Sequence, residues 1–298
     1  MDPGRDPGQV RPFLDMLNVE IDPHSGFCGG VIRAISKAEE HLAEGDRLYS
    51  LGAIVHNEEE LARLSAMGLV TIDKDDLEHI PPMSGETLLI RAHGEPPKVY
   101  EAARGLGFNV IDCTCPMVLN IQKSIREASG RVLIFGKLGH PEVLGLVGQT
   151  SDAVVFETLG QLQAVLPSLD PSLPYEVFSQ TTMSPGGYSE VCCVLGAALP
   201  HLTVHQTICS QVASRHKQLA DFAMMHDVVV FVSGRTSSNG KVLCELCRSC
   251  NIRTYHISGA SELQAAWFRP EDRVGVCGAT STPGWLLEKV ARAIENLQ

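Results

Sequence analysis

Aromatic residues are scarce in this 298-residue chain, at 5%, while glycine is frequent at 27. That balance suits an α/β protein with many tight strand-to-helix turns. Long apolar runs are missing too. No stretch approaches the ~18 apolar residues of a membrane span, so a membrane is not an expected partner. The opening "MDPGRDPGQVRPF" holds no apolar segment and does not read as a signal peptide; its Pro/Gly content predicts a disordered tail over 1–16. Positive charge is also in deficit. A formal net charge of −11 repels nucleic acid and anionic lipid, so neither is expected to bind. An anionic small substrate remains possible, given local donors such as helix N-termini. These features predict a cytoplasmic protein, where disulfides are rare. The ten cysteines then read as small buried residues, as metal or cluster ligands, or both.

What is present is enough for a sizeable core: 44% hydrophobic and 20% charged residues. Length alone suggests about two domains, give or take one. Short apolar runs alternate with helical patterns. "RLYSLGAIVH" reads as a strand and "NEEELARLSAMG" as a helix, with Asn57 as N-cap, Glu60 at the capping-box position and Gly68 as stop. "TLLIRAHG" is strand into loop. "RVLIFGKLGH" is a strand, and Pro141 opens the helix "PEVLGLVGQT". "YEVFSQTTMS", "DVVVFVSGRTSSN" and "DRVGVCGATSTP" repeat the scheme. Such alternation implies parallel sheets with right-handed crossovers.

Three cysteines punctuate the scheme: Cys28 in "GFCGGVIRAI", Cys115 in "DCTCPMV" and Cys209 in "TVHQTICSQVASR", 87 and 94 residues apart. Each follows a β-like run and precedes a helical pattern. This is a loose internal repeat of three α/β units, each delivering one cysteine from a strand end, where ligands gather in parallel sheets. Arranged about a pseudo-threefold axis, the units bring the three thiols together. Three thiolates suit an iron–sulfur cluster with one iron free of protein ligands. A helix start after each cysteine favours its thiolate, and Pro116 makes Cys115 an N-cap. On spacing alone, three structural core cysteines remain the competing reading.

The ordered set "GFCGGVIRAI", "IVHN", "AHGEPP", "DCTCPMV", "GHPEV", "GLVGQT", "SQTTMS", "TIC", "SSNGKVL" and "STP" resembles the 4-hydroxy-3-methylbut-2-enyl diphosphate reductase family, IspH/LytB. The likeness runs from about residue 18 to the C-terminus. It implies an α/β trefoil of three lobes around a central 4Fe–4S cluster: lobe 1 over 17–114, lobe 2 over 115–206 and lobe 3 over 207–298, with the first strand (17–29) a candidate to pair with lobe 3.

By the same resemblance, Cys28, Cys115 and Cys209 hold the cluster. Glu142 supplies protons, with Thr181 placing the substrate hydroxyl or relaying a proton. His56, His93, His140, Ser237, Ser238, Asn239 and Ser281 surround the diphosphate. The implied reaction is reductive dehydroxylation of the allylic diphosphate to isopentenyl and dimethylallyl diphosphates, the last step of the non-mevalonate isoprenoid pathway. Electrons enter singly from an external donor such as ferredoxin or flavodoxin. Two features of the residues agree with these roles. Ser237–Asn239 and Ser281 follow apolar strands and open helices, where free N–H groups bind phosphate. Histidines add donors and, when protonated, positive charge.

Taken singly, these residues have plainer readings: Glu142 as a first-turn helix acid, Ser237 and Ser281 as caps, each His as a loop residue. The other eight histidines are left unassigned. "CELCRSC" resembles part of a ferredoxin motif, but Cys244, Cys247 and Cys250 share one helical face with Leu243 and Leu246 and are expected in the core. Cys113, Cys192, Cys193 and Cys277 take the same core reading. The chain departs from the family at "HSGFC", at "SQVASRH" after Cys209, at Arg91 where Ser is common, and at "GAT" before "STP". A three-cysteine dehydratase such as quinolinate synthase is the nearest rival enzyme. A non-catalytic zinc or redox-sensing protein is the rival of another class.

Overall fold

A computed structural model describes residues 17–77, 79 and 86–297. The expected tail over 1–16 lies outside the described residues. Among the described residues the strands form three separate parallel four-stranded sheets.

Lobe 1 contains β2 (Leu48–Leu51), α2 (Glu58–Ala66), β3 (Leu69–Ile72), β4 (Thr87–Ile90), α3 (Pro97–Gly105) and β5 (Asn109–Asp112), in sheet order β3-β2-β4-β5. Lobe 2 contains β6 (Arg131–Phe135), α5 (Pro141–Val147), β7 (Ala153–Phe156), α6 (Leu159–Val165), β8 (Tyr175–Ser179), α7 (Pro185–Ala198) and β9 (Leu202–Val204), in order β7-β6-β8-β9. Lobe 3 contains β10 (Val228–Val232), α9 (Ser238–Cys250), β11 (Thr254–Ile257), β12 (Arg273–Gly278) and α10 (Gly284–Glu295). Its fourth strand comes from the other end of the chain. β1 (Asn18–Ile21) pairs in parallel with β12, giving order β1-β12-β10-β11. The three sheets therefore share one topology, and the chain closes on itself.

Three further helices cross between lobes. α1 (Gly29–Ala43) follows β1 but packs on sheet β3-β2-β4-β5, through Ala34, Ile35, Ala38 and Leu42. α4 (Pro116–Glu127) follows β5 and packs on the second sheet through Ile121 and Ile125. α8 (Ser210–Met224) follows β9 and packs on the third through Leu219 and Phe222. On the opposite faces lie α3, α7 and α10. Strands buried on both faces explain the continuous apolar runs. All five residues of β10, VVVFV, are fully buried, each worth ~1.5–3 kcal/mol.

The cysteine-rich segment of α9 is core. Cys244 and Cys247 are buried beside Leu243, Phe231 and Cys277. Cys113 is fully buried under α1 and Cys192 is partly buried. Cys193 is a correction: it is exposed, because the next position on α7 is turned ~100° from Cys192, away from the sheet. The capping box at α2 is half formed. Asn57 accepts from the Glu60 N–H at 3.0 Å, but the Glu60 carboxylate is taken by Arg63 and by the Trp285 indole N–H. No helix among the described residues is long and apolar enough to cross a membrane.

One buried ion pair ties the crossings together. Arg215 on α8 meets Asp22 beyond β1 at 2.5 Å, and its Nη2 also donates to Ser25 Oγ at 2.6 Å and to the Gly278 carbonyl at 3.2 Å. The divergent segment "SQVASRH" thus supplies this anchor. Arg215→Ala leaves Asp22 buried and unpaired, a loss of roughly 3–5 kcal/mol. Urea unfolding measures it; a loss below ~1 kcal/mol would show the pair to be solvent-compensated.

Candidate active site where three lobes meet

Each crossing helix begins at one of the three cysteines: Cys28, Cys115 and Cys209 are the N-caps of α1, α4 and α8. Each is pinned in the same way. The Cys28, Cys115 and Cys209 N–H groups donate to the carbonyls of Thr280, Ala92 and Thr181, at 3.4, 3.0 and 2.9 Å. Those acceptors lie just past the ends of β12, β4 and β8, the third strand of each lobe. None of the three side chains caps its own helix, so the thiols stay available. A Cβ on Gly30 would lie 3.2 Å from Cys115 Sγ, so glycine here lets the start of α1 approach Cys115.

The thiols open into one cavity of about 940 Å³ at the carboxyl ends of the strands. Burial raises the Cys28 thiol above its usual pKa, against a downward pull from the Gly30 and Val31 N–H groups. Charge on Cys115 and Cys209 would raise it further.

In the same cavity is Glu142, on the first turn of α5 and only 2% exposed. Its two oxygens accept from the Thr181 N–H at 2.7 Å and from Thr181 Oγ at 2.8 Å. Burial outweighs both bonds and pushes its pKa up to about 7. It is a carboxyl that can hold a proton near neutrality.

The three expected histidines form a row. The rings of His56 and His93 are 5.9 Å apart, and those of His93 and His140 are 5.2 Å apart. His140 caps α5: its Nδ1 accepts from the Glu142 N–H at 3.2 Å, which leaves the ring proton on Nε2. Burial lowers the His140 pKa to about 4 and lowers His56 and His93 as well, with the Arg91 charge adding to each effect. The histidines are therefore neutral donors near pH 7, not the cations the sequence allowed. Arg91, one of the departures, is packed over Gly52 (φ +73°), where a Cβ would meet its Cζ at 2.6 Å.

Lobe 3 closes the ring. Ser237 caps α9 by accepting from the Gly240 N–H at 3.0 Å, and its Oγ lies 3.4 Å from Ser281 Oγ. Asn239 Nδ2 donates to Thr280 Oγ at 3.3 Å. All but one of the expected site residues line this cavity. The exception is Ser238, whose side chain lies outside the described residues. Among the lining residues that escaped the sequence reading are Lys137, Glu157, Lys241 and His216. His216 is seven positions beyond Cys209, two turns along the same helix face, and Lys241 is one turn beyond Ser237. That spacing was the available signal.

The family model described as LytB protein matches residues 19–295. The chain belongs to the LytB family. Relatives named 4-hydroxy-3-methylbut-2-enyl diphosphate reductase include one from Bacteroides thetaiotaomicron, 44% identical over 95% of this chain and 99% of its own. Another, from Parabacteroides distasonis, is 45% identical over 95% and 99%. A solved (E)-4-hydroxy-3-methyl-but-2-enyl diphosphate reductase, described as the terminal enzyme of the non-mevalonate pathway, superposes with a TM-score of 0.73 at 32% identity, over 94% of this chain and all of that one. The corresponding Plasmodium falciparum reductase has a TM-score of 0.79 at 24% identity, over 93% and 87%, and bears on the fold alone.

The Glu142 carboxyl gives the LytB site a measurable pH signature. Its folded pKa of about 7 lies above its ordinary value of 4.5. Its contribution to stability is therefore complete below pH 4.5 and is lost as pH rises to about 7, because the unfolded chain releases this proton first. Glu142→Gln removes the titration. The stability of the variant relative to wild type should rise from pH 5 to pH 8 in thermal unfolding; parallel pH profiles would show that Glu142 is ionised throughout.

Proposed function

We infer that the chain is a 4-hydroxy-3-methylbut-2-enyl diphosphate reductase, converting the allylic alcohol to isopentenyl and dimethylallyl diphosphates. The observation that carries this reading is a protonatable buried carboxyl, Glu142, in the same cavity as three helix-capping thiols. The chemistry is a balanced reduction: the allylic C–O bond breaks, two electrons and two protons enter, and water leaves.

A 4Fe–4S cluster fits the donor set. Cys28, Cys115 and Cys209 would hold it, and no fourth cysteine lines the cavity. When bound, the cluster would supply electrons one at a time and one iron without a protein ligand as a Lewis acid for the hydroxyl.

The chain's own groups do the rest. Glu142 holds the proton that the leaving hydroxyl takes. The Thr181 N–H and hydroxyl fix the orientation of that carboxyl. His56, His93 and His140 bind diphosphate oxygens as neutral donors. His93 Nδ1 is buried without a partner, as a group awaiting a ligand would be. Ser237, Ser238, Asn239 and Ser281 add hydroxyls, an amide and the N-terminus of α9. Lys137 and Lys241 supply positive charge at the rim of an otherwise acidic protein. The electrons come from an external one-electron donor such as ferredoxin or flavodoxin. Ten free thiols suit a cytoplasmic setting.

Anaerobic purification tests the ligand assignment. Cys115→Ser should lose its iron, whereas Cys113→Ala should keep both iron and turnover; equal iron loss in both would refute the division between them. Glu142→Gln should keep its iron and lose at least ~100-fold in turnover on the allylic diphosphate. Near-normal turnover would remove Glu142 as the proton source.

A further inference from the structure

Three consecutive glutamates, Glu58 to Glu60, open α2 directly after His56 and Asn57. An acidic run is unexpected beside a site for a diphosphate, yet none of the three lines the cavity. All three reach lobe 3 instead. Glu58 accepts from the Arg235 N–H with both oxygens, at 3.0 and 3.3 Å. Glu59 pairs with Lys289 at 2.9 Å. Glu60 accepts from the Trp285 indole N–H at 2.8 Å.

The backbones touch at the same place. A Cβ on Gly234 would sit 2.3 Å from the His56 carbonyl oxygen, 3.0 Å from Asn57 Cα and 2.8 Å from Glu58 Oε2. Gly234 also accepts from the Ser237 N–H at 3.1 Å. The contact therefore includes His56 itself on one side and begins three residues before Ser237 on the other.

We propose that Glu58 and Gly234 form a seam that fixes the separation of the two halves of the anion site, His56 on lobe 1 and Ser237 with Ser281 on lobe 3. Glu58 is a positioning residue, acting through the Arg235 backbone and not on the ligand. The seam rests on the reading of this cavity as a diphosphate site. It also accounts for the acidic run: Glu58 spends both acceptor oxygens on a backbone donor, and Glu59 and Glu60 are matched by Lys289 and by Arg63 with Trp285.

Calorimetric binding of inorganic diphosphate to the anaerobically purified holoprotein tests it. Glu58→Ala and Gly234→Ala should each weaken binding about tenfold, with iron content unchanged. In turnover, Glu58→Ala should raise KM and leave kcat in place. Glu58→Gln keeps one acceptor oxygen for the Arg235 N–H and should restore most of the affinity. Glu59→Ala, which breaks only a surface pair, should bind as wild type does. Wild-type affinity in Glu58→Ala, alongside weakened binding in His56→Ala, would overturn the seam and leave the site reading intact. Equal weakening by Glu59→Ala would overturn it as general loosening. Undiminished binding in both His56→Ala and Ser237→Ala would remove the site reading, and the seam with it.

Discussion

A helix that leaves one sheet and packs on the next, with a cysteine as its first fixed residue, is the constraint on which this structure depends. It occurs three times, at Cys28, Cys115 and Cys209. Each cysteine N–H is held by the carbonyl just past the third strand of the sheet it is leaving. The thiol is thus located by two lobes at once: by the sheet behind it and by the packing of its helix on the sheet ahead. Closing the ring requires that β1 complete the last sheet, beside β12. Without that pairing Cys28 would hang from one lobe only. The Asp22–Arg215 pair secures the same corner from the Cys209 helix.

The electrostatics of the cavity follow from its position at the centre. Burial raises Glu142 and Cys28 and lowers His56, His93 and His140. All these shifts favour the neutral form, so the charged side chains lining the pocket are Lys137, Lys241 and Glu157. On the proposed function, an incoming diphosphate would meet oriented N–H and O–H dipoles and the α9 N-terminus together with these two lysines. On that reading a chain of net charge −11 presents a local anion site. Burial likewise favours a proton on Glu142.

Much of this was legible in the sequence because it rests on local chemistry. Pro116 and Pro141 mark helix starts, the VVVFV and RVLIF runs mark strands buried on both faces, and the 87- and 94-residue spacings mark the repeat. The likeness to the LytB family carried the individual roles. What the sequence hid depends on contacts between lobes. Glu60 sits at a capping-box position but finds Arg63 and Trp285, the latter 225 residues away. The sequence left the charge of the histidines open; the burial of their rings and the charge of Arg91 favour the neutral form. Cys193 shares a composition with Cys192 but not a helix face. His216, Lys137 and Lys241 join the cavity only because three lobes bring their elements to one point.

The central claim is that three thiols from three lobes hold one cluster and leave a single iron for the substrate. Mössbauer spectroscopy of iron-57-loaded, anaerobically purified protein addresses it most directly. About four irons per chain are expected, with one distinct component that shifts on addition of the allylic diphosphate while the other three hold their parameters. Four equivalent irons indifferent to the substrate, or a single iron per chain, would contradict the account.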